Sequence, residues 1–119
     1  MQVIRAIILT LLLVAVDVAA DTQEEINHLL GFVANTPCKY ERNGTLYDGS
    51  QARDHINMKY EYYRDKVKTT EDFIKYSATK SALSGKKYTI HCPGSEVMTA
   101  SDWLLGELKA FRVARENSS

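Results

Sequence analysis

Apolar positions recur at helical spacing in four stretches of this chain and alternate in two short ones. Ile26, Leu29, Leu30 and Val33 follow the i, i+3, i+4, i+7 rhythm of one buried helix face. They predict a helix over 22–35. Thr22 is its expected cap, Glu25 completes a capping box, and Asn35-Thr36-Pro37 stops it. Ala52, Ile56, Tyr60, Tyr63 and Val67 make a second stripe and predict a helix over 50–68. His55 and Lys59 flank one edge of that stripe, and Met58 and Tyr62 extend the edge. Thr69 with Asp72 restarts a helix by capping-box spacing, with Phe73, Ile74 and Ala78 facing inward. Thr99 with Asp102 starts a fourth, whose core face is Leu104, Leu105, Leu108 and Phe111, with Trp103 alongside. Residues 115–119 read as a frayed tail.

The remaining signals are extended. Cys38 to Arg42 and Thr45 to Tyr47 flank Asn43-Gly44, a pair suited to a type I′ hairpin turn because both turn residues need positive φ. In Tyr88 to Cys92, Tyr88, Ile90 and Cys92 face one way and Thr89 and His91 the other. Pro93-Gly94 turns the chain into a short return strand over 96–98. The segments show no βαβ rhythm. The predicted class is α+β: a small antiparallel sheet of two short hairpins packed against about four helices, as a single domain over 21–114.

Residues 1–20 read as a signal peptide. Arg5 gives a positive start, and the apolar run over 6–16 is shorter than the roughly 20 residues that cross a bilayer. Val18-Ala19-Ala20 has the small-x-small pattern of a cleavage site, so the cut is expected after Ala20. The alternative, an uncleaved anchor, is opposed by Asp17 and the alanines, which end the apolar run early. No later run is long enough to span a membrane, so the exported chain is expected to be soluble and monomeric.

With 119 residues, the chain is too short for a TIM barrel, a full Rossmann domain or a kinase. Its 45% hydrophobic content excludes a disordered chain. A formal net charge of zero argues against nonspecific nucleic-acid binding. Charge is uneven, however: residues 53–87 hold nine cations against five anions.

One ordered set of residues stands out. Arg42-Asn43-Gly44 is followed by Ala52 and His55-x-x-x-Lys59. Then come Thr69-x-Glu71-x-Phe73-Ile74 and Ser81-x-x-Ser84-Gly85-Lys86-x-Tyr88. The set resembles the YfeK-like family of small exported bacterial proteins, over about residues 24–112. The resemblance implies a periplasmic setting and brings no activity and no cofactor.

The two cysteines lie outside that set. In an exported chain, Cys38 and Cys92 are expected to bridge and so tie one hairpin to the other. His28, His55 and His91 lack metal-ligand spacing, so no metal is expected. Ser77-x-x-Lys80 and Ser84-x-x-Lys87 match an acylation motif without its partner motifs, in a chain too short for that fold. Arg42, His55, Lys59, Ser81, Ser84 and Lys86 could converge on an anion: Arg as a fork, Lys as a point charge, and the Ser84-Gly85 turn through its N–H groups.

Two functions are in contention. One is a noncatalytic binding module of the cell envelope that contacts an envelope protein, a peptide or an anionic ligand through Arg42, His55, Lys59 and Lys86. The other is a small envelope hydrolase using His55. The hydrolase would need a pocket with a perturbed titratable group, and a concave site holding His55 within hydrogen-bond reach of a second functional side chain is what discriminates the two.

Overall fold

The computed structural model describes residues 21–118. The expected leader and its cleavage site after Ala20 lie outside the described residues.

Helix α1 occupies 21–34 of these residues, and the chain then turns into strand β1 (Lys39–Arg42) and strand β2 (Thr45–Tyr47). Asn43 and Gly44 have φ of 50° and 84°, the left-handed values that a two-residue turn between these strands requires. Helix α2 (Gly49–Tyr63) follows, capped by Asp48, whose side chain accepts from the Gln51 amide. It tightens into one 3₁₀ turn (Arg64–Lys66) rather than continuing to residue 68. Helix α3 (Thr70–Ser77) starts at the expected Thr69–Asp72 capping box. Strand β3 (Thr89–His91) and strand β4 (Met98–Thr99) form the second hairpin. Helix α4 (Ala100–Asn117) is capped by Thr99.

The four strands make one antiparallel sheet in the order β2-β1-β3-β4. The hairpins join through β1 and β3, where Tyr40 faces Ile90. Cys38 and Cys92 sit at the ends of these strands and are bonded, as expected. Among the described residues the fold is α+β, with four helices and a small open sheet.

Ile26, Leu29 and Val33 of α1 share one core with Ala52, Ile56 and Tyr60 of α2, Phe73 and Ile74 of α3, and Leu104 and Leu108 of α4. Tyr40, Tyr88 and Ile90 supply the sheet's inner face. Ala78 is buried as expected.

Three local expectations are corrected. Residue 21 is already helical, so Thr22 is not the N-cap of α1. Glu25 does not close a capping box there. It is 4% exposed, and its carboxylate accepts from the Thr70 hydroxyl at 2.6 Å and from Arg112 and Arg115 at 2.8–2.9 Å. Leu105 is 40% exposed, because the core stripe of α4 runs through Ala100, Leu104 and Leu108. In addition, α4 continues to Asn117, past the start of the expected tail, and Arg115 is fixed by Glu25.

Candidate functional site

Two helical stripes run along α2. The inner one, through Ala52, Ile56 and Tyr60, is buried. The second, His55, Met58, Lys59 and Tyr62, has the same i, i+3, i+4, i+7 spacing and lies beside it. This second stripe forms one wall of a pocket of about 410 Å³. Arg42 and Asn43 from the first hairpin, Ser81 to Leu83 from the loop after α3, and Tyr88 before β3 complete the lining, with Tyr63. Its size lies within the roughly 300–1,000 Å³ usual for small-molecule sites.

Tyr88 is the centre of the polar end. Its hydroxyl accepts from Lys59 Nζ at 3.2 Å and lies 3.3 Å from His55 Nε2. With Lys59 donating to its oxygen, the hydroxyl has its own proton to give to a neutral His55 ring. Lys59 also donates to the Lys80 carbonyl at 2.8 Å, which fixes its ammonium at the pocket wall. The Arg42 guanidinium stacks 5.0 Å from the Tyr47 ring centre and 6.0 Å from that of Tyr88. Its Nε is buried and has no hydrogen-bond partner among the described residues.

Burial, then the Arg42 and Lys59 charges, hold the His55 ring down to a pKa of about 4. The ring is therefore neutral at pH 7. None of the lining residues is acidic, so the pocket presents two fixed cations and no compensating carboxylate.

The loop over 81–86 is tied to the first hairpin. Ser84 Oγ donates to Asn43 Oδ1 at 2.6 Å, and Asn43 Nδ2 donates to Ser81 Oγ at 3.5 Å. In the sequence Asn43 is a turn residue and part of the Arg42-Asn43-Gly44 segment. Here it also anchors the loop that carries Leu83. The Ser84-Gly85 turn is closed on itself. The Ser84 and Lys86 amides donate to Ser81 Oγ and Ser84 Oγ, and the Gly85 amide donates to the Ser81 carbonyl. Those N–H groups are therefore spent within the turn and are not offered to an anion.

Of the residues expected to converge, Arg42, His55, Lys59 and Ser81 line this one pocket. Lys86 does not line it and is exposed. In the sequence Tyr88 shows as the first residue of an alternating stretch. Its hydroxyl role depends on contacts 29 and 33 positions away. The signal that could have found the pocket was the second stripe of α2, where a histidine and a lysine alternate with Met58 and Tyr62.

Elsewhere, His28 pairs with Glu107 at 2.7 Å and stacks on Phe111 at 4.1 Å between ring centres. His91 pairs with Glu41 at 3.1 Å on the outer face of the sheet. Ser77, the first serine of the acylation-like motif, is fully buried. Among the described residues, no group of three His, Cys, Asp or Glu gathers to hold a metal ion. A second concavity of about 470 Å³ lies along Asn27, His28, Phe32 and Asn35 to Pro37. It contains no lysine or arginine.

No curated protein and no solved structure matches this chain. A family profile does match, over residues 20–112, which spans both hairpins, α2, α3 and every residue of the pocket. The chain belongs to DUF5329, a family of unknown function.

Proposed function

We propose that this chain is an exported, noncatalytic binding protein of the bacterial cell envelope. In this reading the pocket beside α2 takes an anionic small ligand. The setting rests on the leader-like residues 1–20 and on the resemblance to the YfeK-like exported proteins. A Cys38–Cys92 bridge is compatible with an oxidising compartment. The observation that carries the ligand class is the Arg42 guanidinium. It lies in a pocket with Lys59 and no acid. A guanidinium and an ammonium with no carboxylate among the lining residues leave positive charge uncompensated, and an incoming carboxylate offsets it. Lys86 lies outside the pocket and contributes only to the approach of an anion.

Hydrolysis is the weaker reading. The contact between His55 and the Tyr88 hydroxyl supports it. Against it, a ring with a pKa of about 4 is a poor base at neutral pH. Its charged neighbours are cations, and no carboxylate in the pocket wall orients it. The one serine hydroxyl in the wall, Ser81 Oγ, accepts from both Asn43 and the Ser84 amide.

The test is a calorimetric titration of the protein, expressed from the full-length chain, with sodium hexanoate. Saturable 1:1 binding is expected, weakening between low and physiological ionic strength. Arg42→Gln with Lys59→Gln, in protein that melts at the parent temperature, should lower affinity at least tenfold. Absence of saturable binding, or equal binding by the variant, contradicts the reading. His55-dependent turnover of p-nitrophenyl hexanoate would contradict its noncatalytic part.

A further inference from the structure

The pocket has an inverted polarity. Leu83 is 100% exposed, Tyr62 81% and Met58 62%, and all three stand on its rim. Arg42, Lys59 and His55 are more sheltered than these apolar residues, and Tyr88 behind them is buried. Ordinary surfaces show the reverse, with charges outermost and apolar side chains beneath them. Single exposed apolar residues need no explanation, but three large ones around one opening do.

Building on the anion-binding reading above, we infer that the ligand is a free amphiphile with one carboxylate head and an unbranched apolar tail. It enters head first. The head meets the Arg42 guanidinium and Lys59, while Met58, Tyr62 and Leu83 close over the tail. The charge arithmetic suits a monoanion. Lys59 already gives two of its three hydrogens to Lys80 and Tyr88, so one hydrogen and the Arg42 fork remain. A peptide or sugar would need several free polar groups along the wall. Asn43, Ser81 and Ser84 instead bond to one another. An unbranched tail asks nothing of them, and Met58 is flexible enough to follow it. A lipid held in a bilayer presents its headgroup first and keeps its tails behind. The exposed apolar rim would then face the headgroup layer, so a free acid fits this mouth better.

The experiment is a calorimetric series on the protein expressed from the full-length chain, with hexanoate, octanoate and decanoate below their micelle concentrations. Affinity should rise between about two- and fourfold per methylene, for half to full burial of each CH₂. Decyltrimethylammonium, with the same tail and the opposite head charge, should not bind. Met58→Gln with Leu83→Gln alters only exposed side chains. It should weaken decanoate at least tenfold and flatten the gain in affinity per methylene, and an unchanged gain would overturn the inference.

If hexanoate binds but affinity is flat with tail length, the amphiphile inference fails and the anion site stands. If no carboxylate binds, the anion reading itself fails and takes this one with it. Equal binding of the ammonium surfactant overturns the inference by removing the head contact. Tighter binding of Gly-Leu-Leu than of decanoate overturns it in favour of a peptide. Decanoate binding only when presented in phosphatidylglycerol vesicles overturns the free-acid source.

Discussion

His55 is neutral because it is half-buried between two cations, and that state is measurable. Its ring should titrate near pH 4 by NMR, well below the ordinary histidine value of about 6.5. A carboxylate seated beside Arg42 offsets the two positive charges, so the midpoint should move up on binding. A midpoint near 6.5 in the free protein would contradict the described burial. Glu25 shows a second shifted group with a structural role. The Arg112 hydrogen bonds, then those of Thr70 and Arg115, overcome its burial and hold its carboxyl down to about 2. A depressed carboxyl stabilises the fold above its unfolded value, and that stability is lost as pH falls from about 5 to about 2. Up to about 3 kcal/mol is at stake. Glu25→Gln should therefore flatten the acid limb of the stability curve and cost about 2–3 kcal/mol at pH 7 in urea unfolding. Its arginine partners are about a third exposed, which keeps the cost below that of a fully buried pair. The sequence showed Glu25 three residues after Thr22 and suggested a cap. Its true partners lie 45, 87 and 90 positions away, where no local pattern reaches.

At the scale of elements, caps and turns were the most legible features. Thr69–Asp72 and Thr99–Asp102 start α3 and α4 because a side-chain oxygen three residues upstream of a free amide is a local device. Asn43-Gly44 turns the first hairpin for the same local reason. Apolar periodicity placed the buried stripes of α1, α2 and α3, and it overreached at Leu105, where the next layer is solvent. The end of α2 at Tyr63 was not visible, because the apolar spacing runs on to Val67 through the 3₁₀ turn. Gly49 was also unremarked. It is the first residue of α2, and a Cβ there would collide with the Val33 carbonyl oxygen and press on Thr36. Gly49→Ala should push α2 off the end of α1 and cost about 1–3 kcal/mol in chemical denaturation. An unchanged midpoint would mean that the two helix ends do not pack this closely.

For the molecule as a whole, the disulfide and the pocket were legible to different degrees. Two cysteines leave one possible intrachain bridge, and Cys38–Cys92 joins β1 to β3 across a separation of 54 positions. Closing such a loop contributes up to about 4 kcal/mol in the chain-entropy picture. Cys38→Ser should accordingly lower the melting temperature by more than about 10 °C. Two titratable thiols in native, unreduced protein would contradict the bridge. Intact mass of envelope-fraction protein should begin at Asp21, and a full-length mass in the membrane pellet would overturn the export reading. The pocket was legible as an inventory of residues and not as a place. Arg42, His55 and Lys59 could be picked out as polar groups that turn chemistry leaves unexplained. That they meet at Tyr88, and that Lys86 stays away, follows from strand order and from the Asn43–Ser84 tie. Both are long-range facts.

The most direct test of the central claim is an NMR titration of ¹⁵N-labelled protein with octanoate. Carboxylate binding in this pocket predicts saturable shifts at Arg42, Ala82, Leu83 and Tyr88, with a rise in the His55 midpoint, all lost in Arg42→Gln. Shifts centred on the groove over Asn27 to Pro37, or scattered over the surface and unchanged in that variant, would contradict it.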